Sequence, residues 1–397
     1  MKARIIALIL IAALCLACFT GCGSDNKPTE NASGTDISTE NDANAGETAD
    51  TPDDGEPLTY STFDYTAAYN SYEPDAVVLT VNGDEITWAE YFGWLYSMME
   101  QYEMYLGTEF EWTDPFSETQ TIEEYTKYYA ETMCSQYAVV NGLAKEKGLE
   151  LNEEEKQYIE DLLLSDAENY ANGSVEDFIK YLEATFMSEE YYRFINTVAI
   201  YYQKLFTTLF GENGETMTNE DVEDFIESNG YLYAKHILYL TTDEAGEALD
   251  ENAKAEKLAA AEAAVAQLKG LSGDALIEKF DEIMMAESED SGLASYPDGY
   301  YFLPGEMVSE FEEGTKALEY NTVSDIIESA YGYHIILRLP ISPESEYSEG
   351  YNFRYLAASY AYDTMMGEAF EKAEIVYSDD FASLSLGDIF TTVELEY

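Results

Sequence analysis

Hydrophobic positions along this 397-residue chain recur with two periods, one near 2 and one near 3.6. The stretch AVVLTVNGDEIT at 76–87 reads as a strand, VVLTV, an NG turn and a short return strand, EIT. Thr87 and Glu90 then form a capping box, T-W-A-E, which opens an apolar helix through Trp94 and Met98. The same start signal recurs at Thr121 with Glu124 and at Thr218 with Asp221. Apolar residues three and four apart predict amphipathic helices at about 120–147, 152–170, 174–185, 188–210 and 219–228. Residues 75–230 are therefore expected to form a mostly helical domain.

At residue 231 the pattern changes. YLYAKHILYL is a strand, NAKAEKLAAAEAAVAQLK at 252–269 is a strong helix by alanine content and spacing, and SGDALIEKFDEIMM starts a second helix from a Ser cap. A loop rich in Gly, Ser and Pro follows, then a short strand at YYF, a helix near 307–318, and strands at 323–329 and 332–340. The order β-α-α-β-α-β-β makes residues 231–340 a compact domain of the α+β class. Residues 341–397 add one more amphipathic helix, about 350–374, and a tail. Such a helix needs an apolar partner, and the N-terminal helical domain is the expected one.

The remaining stretches carry no such periodicity. MKAR followed by IIALILIAALCLA is a basic start and a short apolar run, the pattern of a secretory signal peptide over residues 1–21. The run ends in FTGC, which resembles a bacterial lipobox, so Cys22 is the expected lipidation site and mature N-terminus. Cys18 is the weaker candidate, because Cys15 stands where an aliphatic residue is wanted. Residues 22–74 are rich in Asp, Glu, Asn, Ser, Thr, Gly and Pro, too polar to offset chain entropy by burial, and are expected to be a disordered acidic tether. Fifty flexible residues span roughly 40 Å. With Cys15 and Cys18 removed and Cys22 acylated, Cys134 is left alone in a helical pattern as a small core residue, and no internal disulfide is available.

Charge narrows the function classes. The formal net charge of −61 argues against nucleic acid, whose phosphates require clustered Lys and Arg, and against adhesion of the protein surface to anionic lipid. It suits a soluble surface that repels its own copies, and a salt-adapted organism would show the same bias.

Among 397 residues only two are histidines, and both lie in strand-like apolar sequence, AKHILYL and YGYHIILRLP. Alone they read most simply as satisfied core residues; a zinc site wants three or four ligands at motif spacing. Four pieces give them a context: AKHIL at 234–238, AESED at 286–290, FLPGEMVSEFEEG at 302–314 and SDIIESAYGYHIILRL at 324–339. In this order and at these intervals they resemble the parvulin family of peptidyl-prolyl isomerases. With the helical region and the lipobox, nearly all of the expected folded chain resembles the extracytoplasmic foldase lipoproteins that carry a parvulin domain.

The resemblance implies a four-stranded sheet with flanking helices, inserted in or following the mostly helical domain, which it implies to be chaperone-like. It implies that His236 and His334 share a hydrogen-bond network at the floor of the site, and that Asp290 stands close to the substrate carbonyl. It implies further that Met307 and Phe311 line a proline pocket that Phe302 closes, with Ser288 as a polar neighbour. No cofactor and no metal are implied. The implied partners are unfolded or partly folded exported proteins with X-Pro bonds, and the membrane through a lipid anchor.

Two departures matter. Many parvulins read G-G-x-L-G before the closing aromatic, whereas this chain reads ASYPDGYYF, with Gly299 where a pocket leucine often lies, so a wider or shallower slot is expected. No cation precedes Lys254 in the loop after the first strand, so no preference for phosphorylated Ser/Thr-Pro is expected, and acidic residues before proline should be disfavoured. Two other functions stay open: a holdase chaperone whose parvulin domain only clamps peptide, and a solute-binding lipoprotein. Against the last stands the absence of alternating βα units in two lobes.

Overall fold

A computed structural model of the chain describes residues 59–348 and 350–396. The expected signal peptide, Cys22 and the tether up to residue 58 lie outside the described residues. Two compact units are formed. One contains the described residues up to Leu205 together with those from Thr364 onward; the other is Phe206–Asp363.

Along the first unit run β1 (Thr59–Phe63), α1 (Tyr65–Tyr69), β2 (Val77–Val81), β3 (Asp84–Thr87), α2 (Trp88–Leu106), α3 (Ile122–Glu146), α4 (Glu153–Ala171), α5 (Val175–Ala184) and the start of α6 (Glu189–Phe210). The NG turn between β2 and β3 has positive φ at both Asn82 (53°) and Gly83 (89°), the twist that a two-residue hairpin needs. Thr87 and Glu90, and Thr121 and Glu124, form the capping boxes expected of them. Each such cap stabilises its helix by about 1 kcal/mol. Trp88, Tyr91, Phe92, Leu95 and Met99 line one face of α2 and are fully buried. They pack on Val78, Leu79 and Val81 of β2, Ala130 and Cys134 of α3, and Phe381, Leu386 and Phe390 from the far end of the chain.

The second unit continues with α7 (Asn219–Asn229), β4 (Leu232–Leu240), α8 (Glu251–Leu268), α9 (Asp274–Glu287), β5 (Tyr300–Phe302), α10 (Ser309–Lys316), β6 (Thr322–Val323), β7 (Ile327–Glu328), β8 (Gly332–Arg338), β9 (Glu346–Ser348), β10 (Tyr351–Asn352) and the start of α11 (Phe353–Glu371). Back in the first unit, β11 (Ile375–Tyr377) joins the free edge of β2, and β12 (Thr392–Glu396) pairs antiparallel with β1.

The fold is α+β. The second unit holds an antiparallel sheet in the order β5-β4-β8, with β6 and β7 sharing the last edge of β8. These two short strands are one edge strand broken by a one-residue shift: Val323 lies opposite Leu337, but Ile327 opposite His334. Ser324 holds the break, because its Oγ accepts from Ile336 N at 2.9 Å while its own N–H donates to Ile336 O. The sheet thus has four strand positions. Its alternating side chains separate into two faces. Ile237 and Tyr239 of β4 and Tyr333, Ile335 and Leu337 of β8 pack under α8 and α9, on Ala261, Leu276 and Phe280. Leu232, Ala234 and Ile336 face the other way, toward Phe302 and Phe311.

Three expectations need correction. Residues 59–74, expected to belong to the tether, are structured: their aromatic residues supply the burial, Phe63 entering the core with Tyr65, Tyr69 and Tyr72 packed on it. The second compact unit starts at Phe206, ahead of the domain expected from 231, because α7 buries Val222 and Ile226 against Phe353 and Ala357 of α11. The first half of that last long helix therefore belongs to the second unit, and only its remainder and the tail go with the helical unit. Finally, Ser272 does not cap α9: Gly273 stands at the N-cap with φ 59° and no side-chain cap bond forms.

Candidate active site

The register of β4 and β8 sets the site. His236 lies opposite Ile336 and Leu238 opposite His334, so the two histidines are diagonal neighbours on one face. Both are buried, their rings are nearly parallel at 13°, and their Nδ1 atoms are 3.1 Å apart. From this pair a chain of hydrogen bonds runs both ways. His236 Nε2 lies 3.0 Å from Asp290 Oδ2, and His334 Nε2 lies 2.7 Å from Ser329 Oγ.

Donor counting gives every bond in this chain a direction when the rings are neutral. The Asp290 carboxylate only accepts, so His236 Nε2 carries the proton and His236 Nδ1 accepts. His334 Nδ1 must then donate, and its Nε2 accepts from the Ser329 hydroxyl. Burial, with His236 alongside, holds His334 down to about 4, so its ring is neutral near pH 7.

Asp290 is anchored by more than His236. Tyr300 Oη donates to Oδ2 at 2.5 Å and Gly292 N to Oδ1 at 3.1 Å. Burial alone would raise the carboxyl, but the bonds from His236 and Tyr300, the His236 ring and the Gly292 amide outweigh it and hold Asp290 down at about 2. Burial and the bond to Asp290 in turn push the Tyr300 phenol well above its ordinary range, so it stays a donor. Gly292 makes this possible, since a Cβ there would collide with Tyr300 Oη. Ser288 serves the same loop: its Oγ accepts from Leu238 N at 3.1 Å and lies 3.4 Å from Asp290 N, fastening the start of the loop to β4.

Beside the histidines lies an apolar cluster. Phe311 places its ring 5.1 Å from that of His236 and 5.8 Å from that of His334. Phe302, held on β5 opposite Leu232, lies 5.6 Å from Phe311. Met307, half buried, packs on the same cluster. Met307 does not share a helix face with Phe311, because α10 starts only at Ser309; it reaches the cluster from the turn before the helix.

The structure thus brings His236, His334, Asp290, Phe302, Met307 and Phe311 together and places Ser288 behind them. Gly299 stands where its loop meets β4. Its φ is +100°, and a Cβ there would stand 2.7 Å from the Ala234 carbonyl oxygen and 2.8 Å from Lys235 Cγ, so this glycine lets the loop close on β4. Tyr300 and Ser329 escaped the sequence reading. Tyr300 precedes Phe302 by two on a strand and so shares its face, and Ser329 opens the tight turn before β8; only the fold brings each to its partner. Among the described residues no group of three His, Cys, Asp or Glu side chains is placed to hold a metal.

Comparison with known proteins follows this geometry. The rotamase family, the PPIC-type PPIase domain, matches residues 236–339. The chain is similar to the foldase protein PrsA of Oceanobacillus iheyensis, 32% identical over 165 residues, which is 41% of this chain and 46% of that protein. It thus spans about half the length of that relative. The foldase protein PrsA of Clostridium perfringens is 24% identical over 278 residues, 65% of this chain and 71% of that protein. The peptidyl-prolyl cis-trans isomerase Pin1 of Arabidopsis thaliana is 39% identical over 79 residues, 19% of this chain and 66% of that protein. Residues 236–339 thus carry the match to the PPIC-type rotamase domain, in a chain similar over part of its length to the foldase proteins PrsA.

Proposed function

We propose that this chain is a peptidyl-prolyl isomerase that assists the folding of exported proteins, and that a lipid on Cys22 tethers it to the outer face of the cell membrane. The observation that carries the enzymatic part is the chain Asp290–His236–His334–Ser329 running beside the cluster of Phe302, Met307 and Phe311. The lipobox and acidic tether support the anchoring.

Rotation of an amide is opposed by a resonance barrier of about 18–20 kcal/mol. No bond to carbon need form or break, so the site needs neither nucleophile nor metal; it must bind the twisted amide better than the planar one. The proline ring packs on the apolar cluster. A planar amide concentrates negative charge on its carbonyl oxygen, and twisting withdraws it. A fixed carboxylate at Asp290 near that oxygen therefore disfavours the planar state more than the twisted one. His236 holds the carboxylate through its Nε2–H, His334 orients the His236 ring, and Ser288 and Tyr300 fix the carboxylate's loop.

The test is isomerisation of a short unphosphorylated X-Pro peptide by the full chain, beside Asp290→Ala and Met307→Ala. Catalysis lost in both variants would support the reading; an unchanged rate in Asp290→Ala would remove the carboxylate from it. One observation favours a second reading, a holdase that grips peptide with little turnover: both oxygens of Asp290 are already engaged, Oδ2 by His236 and Tyr300 and Oδ1 by Gly292. A well-folded chain that binds the peptide without accelerating it would decide for the holdase.

A further inference from the structure

Helices α7 and α11 leave a groove of about 630 Å³ between them. Its floor is Met217, Phe225, Ala357 and Ala361, and Tyr360 stands at one wall with its ring 5.5 Å from that of Phe225. The cause is in the sequence. Phe353 fills the space between the helices by packing on Val222 and Ile226, but one and two turns later the chain offers only the methyl groups of Ala357 and Ala361. Along the α7 side the groove is rimmed by the exposed carboxylates of Asp221, Asp224 and Glu227, and no Lys or Arg is among its lining residues.

The charge decides what can lie there. A second copy of this chain, at net charge −61, is repelled. The chain's own residues 23–58 carry Lys27 alone among many acids and are repelled as well. An apolar floor with a carboxylate rim fits the opposite chemistry. We propose that this groove holds an unfolded polypeptide segment in which Lys or Arg alternate with large apolar residues. Apolar side chains enter the floor, and the cations stay at the rim, half in water, where their attraction to the carboxylates is screened by salt. The proposal rests on the reading of the chain as a foldase and names a place, sharing no residue with the isomerase site, where a client is held.

The test uses the full chain and a labelled, proline-free peptide of alternating Leu and Lys, with its Leu and Glu counterpart, followed by fluorescence anisotropy at low and high salt. The Lys peptide is expected to bind, and binding should weaken about tenfold in the double variant Asp224→Lys with Glu227→Lys. Ala361→Trp, which fills the groove without changing charge, should weaken it as well. The same charge change far along the chain on α4, Glu153→Lys with Glu154→Lys, should leave it nearly unchanged. Equal weakening by both charge pairs, or equal binding of the Glu peptide, would mean diffuse attraction and overturn the groove. Full binding to a folded Ala361→Trp protein would overturn it too. Isomerisation of an X-Pro peptide by the same proteins separates the two readings. Peptide binding without any isomerisation in the unaltered chain sinks the isomerase and leaves the groove; isomerisation without peptide binding sinks the groove alone.

Discussion

Tyr300 Oη stands 2.5 Å from Asp290 Oδ2, and each group holds the other in the protonation state their bond requires. The carboxylate keeps the phenol protonated, and the phenol helps keep the carboxyl ionised at about 2. Where many parvulins read G-G-x-L-G before the closing aromatic, this chain reads ASYPDGYYF, and Tyr300 lies in that stretch.

Tyr300→Phe removes one donor from the carboxylate. The Asp290 carboxyl then rises toward its ordinary range, and the acid limb of the pH profile of kcat/KM moves upward with it. At neutral pH the loss is expected to be about fivefold, the size of one hydrogen bond. An acid limb that stays in place would show that Tyr300 only packs there.

Gly292→Ala should reproduce that phenotype by a different route. The new methyl group collides with Tyr300 Oη and must displace it. If both changes act on the one bond, the double variant Gly292→Ala with Tyr300→Phe should be little worse than either alone. Losses that multiply would separate the two positions.

His334 links pH to the stability of the second unit. Its folded-state value is held down to about 4, against an ordinary value of about 6.5. Between these values the unfolded chain binds the extra proton, so the stabilisation is complete above the ordinary value and declines as pH falls toward 4. The loss is roughly 3 kcal/mol at most. Asp290 adds its own loss only below this window, as pH falls from about 4 toward 2. Hydrogen exchange of the β8 amides, compared with His334→Gln, reads the effect; the same slope in both proteins would place the proton elsewhere.

Phe390, buried near the end of the chain, packs its ring 5.8 Å from Phe92 in a stacked arrangement. Phe390→Ala is expected to destabilise the first unit by about 3–5 kcal/mol. All three tryptophans, Trp88, Trp94 and Trp112, belong to that unit, so their fluorescence reports its unfolding alone. Isomerisation of a small peptide should be unchanged at temperatures where the first unit is still folded. A drop in peptide turnover there would mean that the isomerase domain depends on this core.

What the sequence disclosed follows the range of the interactions involved. The NG hairpin and the boxes at Thr87, Thr121 and Thr218 are decided within four residues, and they stand as expected. The phase of His236 and His334 was legible because a strand's side chains alternate, and four spaced motifs gave the pair its context. The strand at Thr59–Phe63 was hidden because its partner is Thr392–Glu396, and no local window contains both. Tyr300 and Ser329 were hidden for the same reason. The helix expected from about 307 starts only at Ser309, because the helical spacing of Met307 and Phe311 does not fix where a helix begins.

The pairing of β1 with β12 and of β2 with β11 imposes a schedule on the growing chain. A polypeptide emerges from the ribosome N-terminus first, and Phe206–Asp363 is contiguous, so that unit has all its residues as soon as Asp363 has appeared. The helical unit must wait with the apolar face of α2 only partly covered, by β2 and α3, until Phe381, Leu386 and Phe390 arrive. The middle of the chain is therefore expected to mature before its beginning, and the helical unit stays incomplete until the last residues are made.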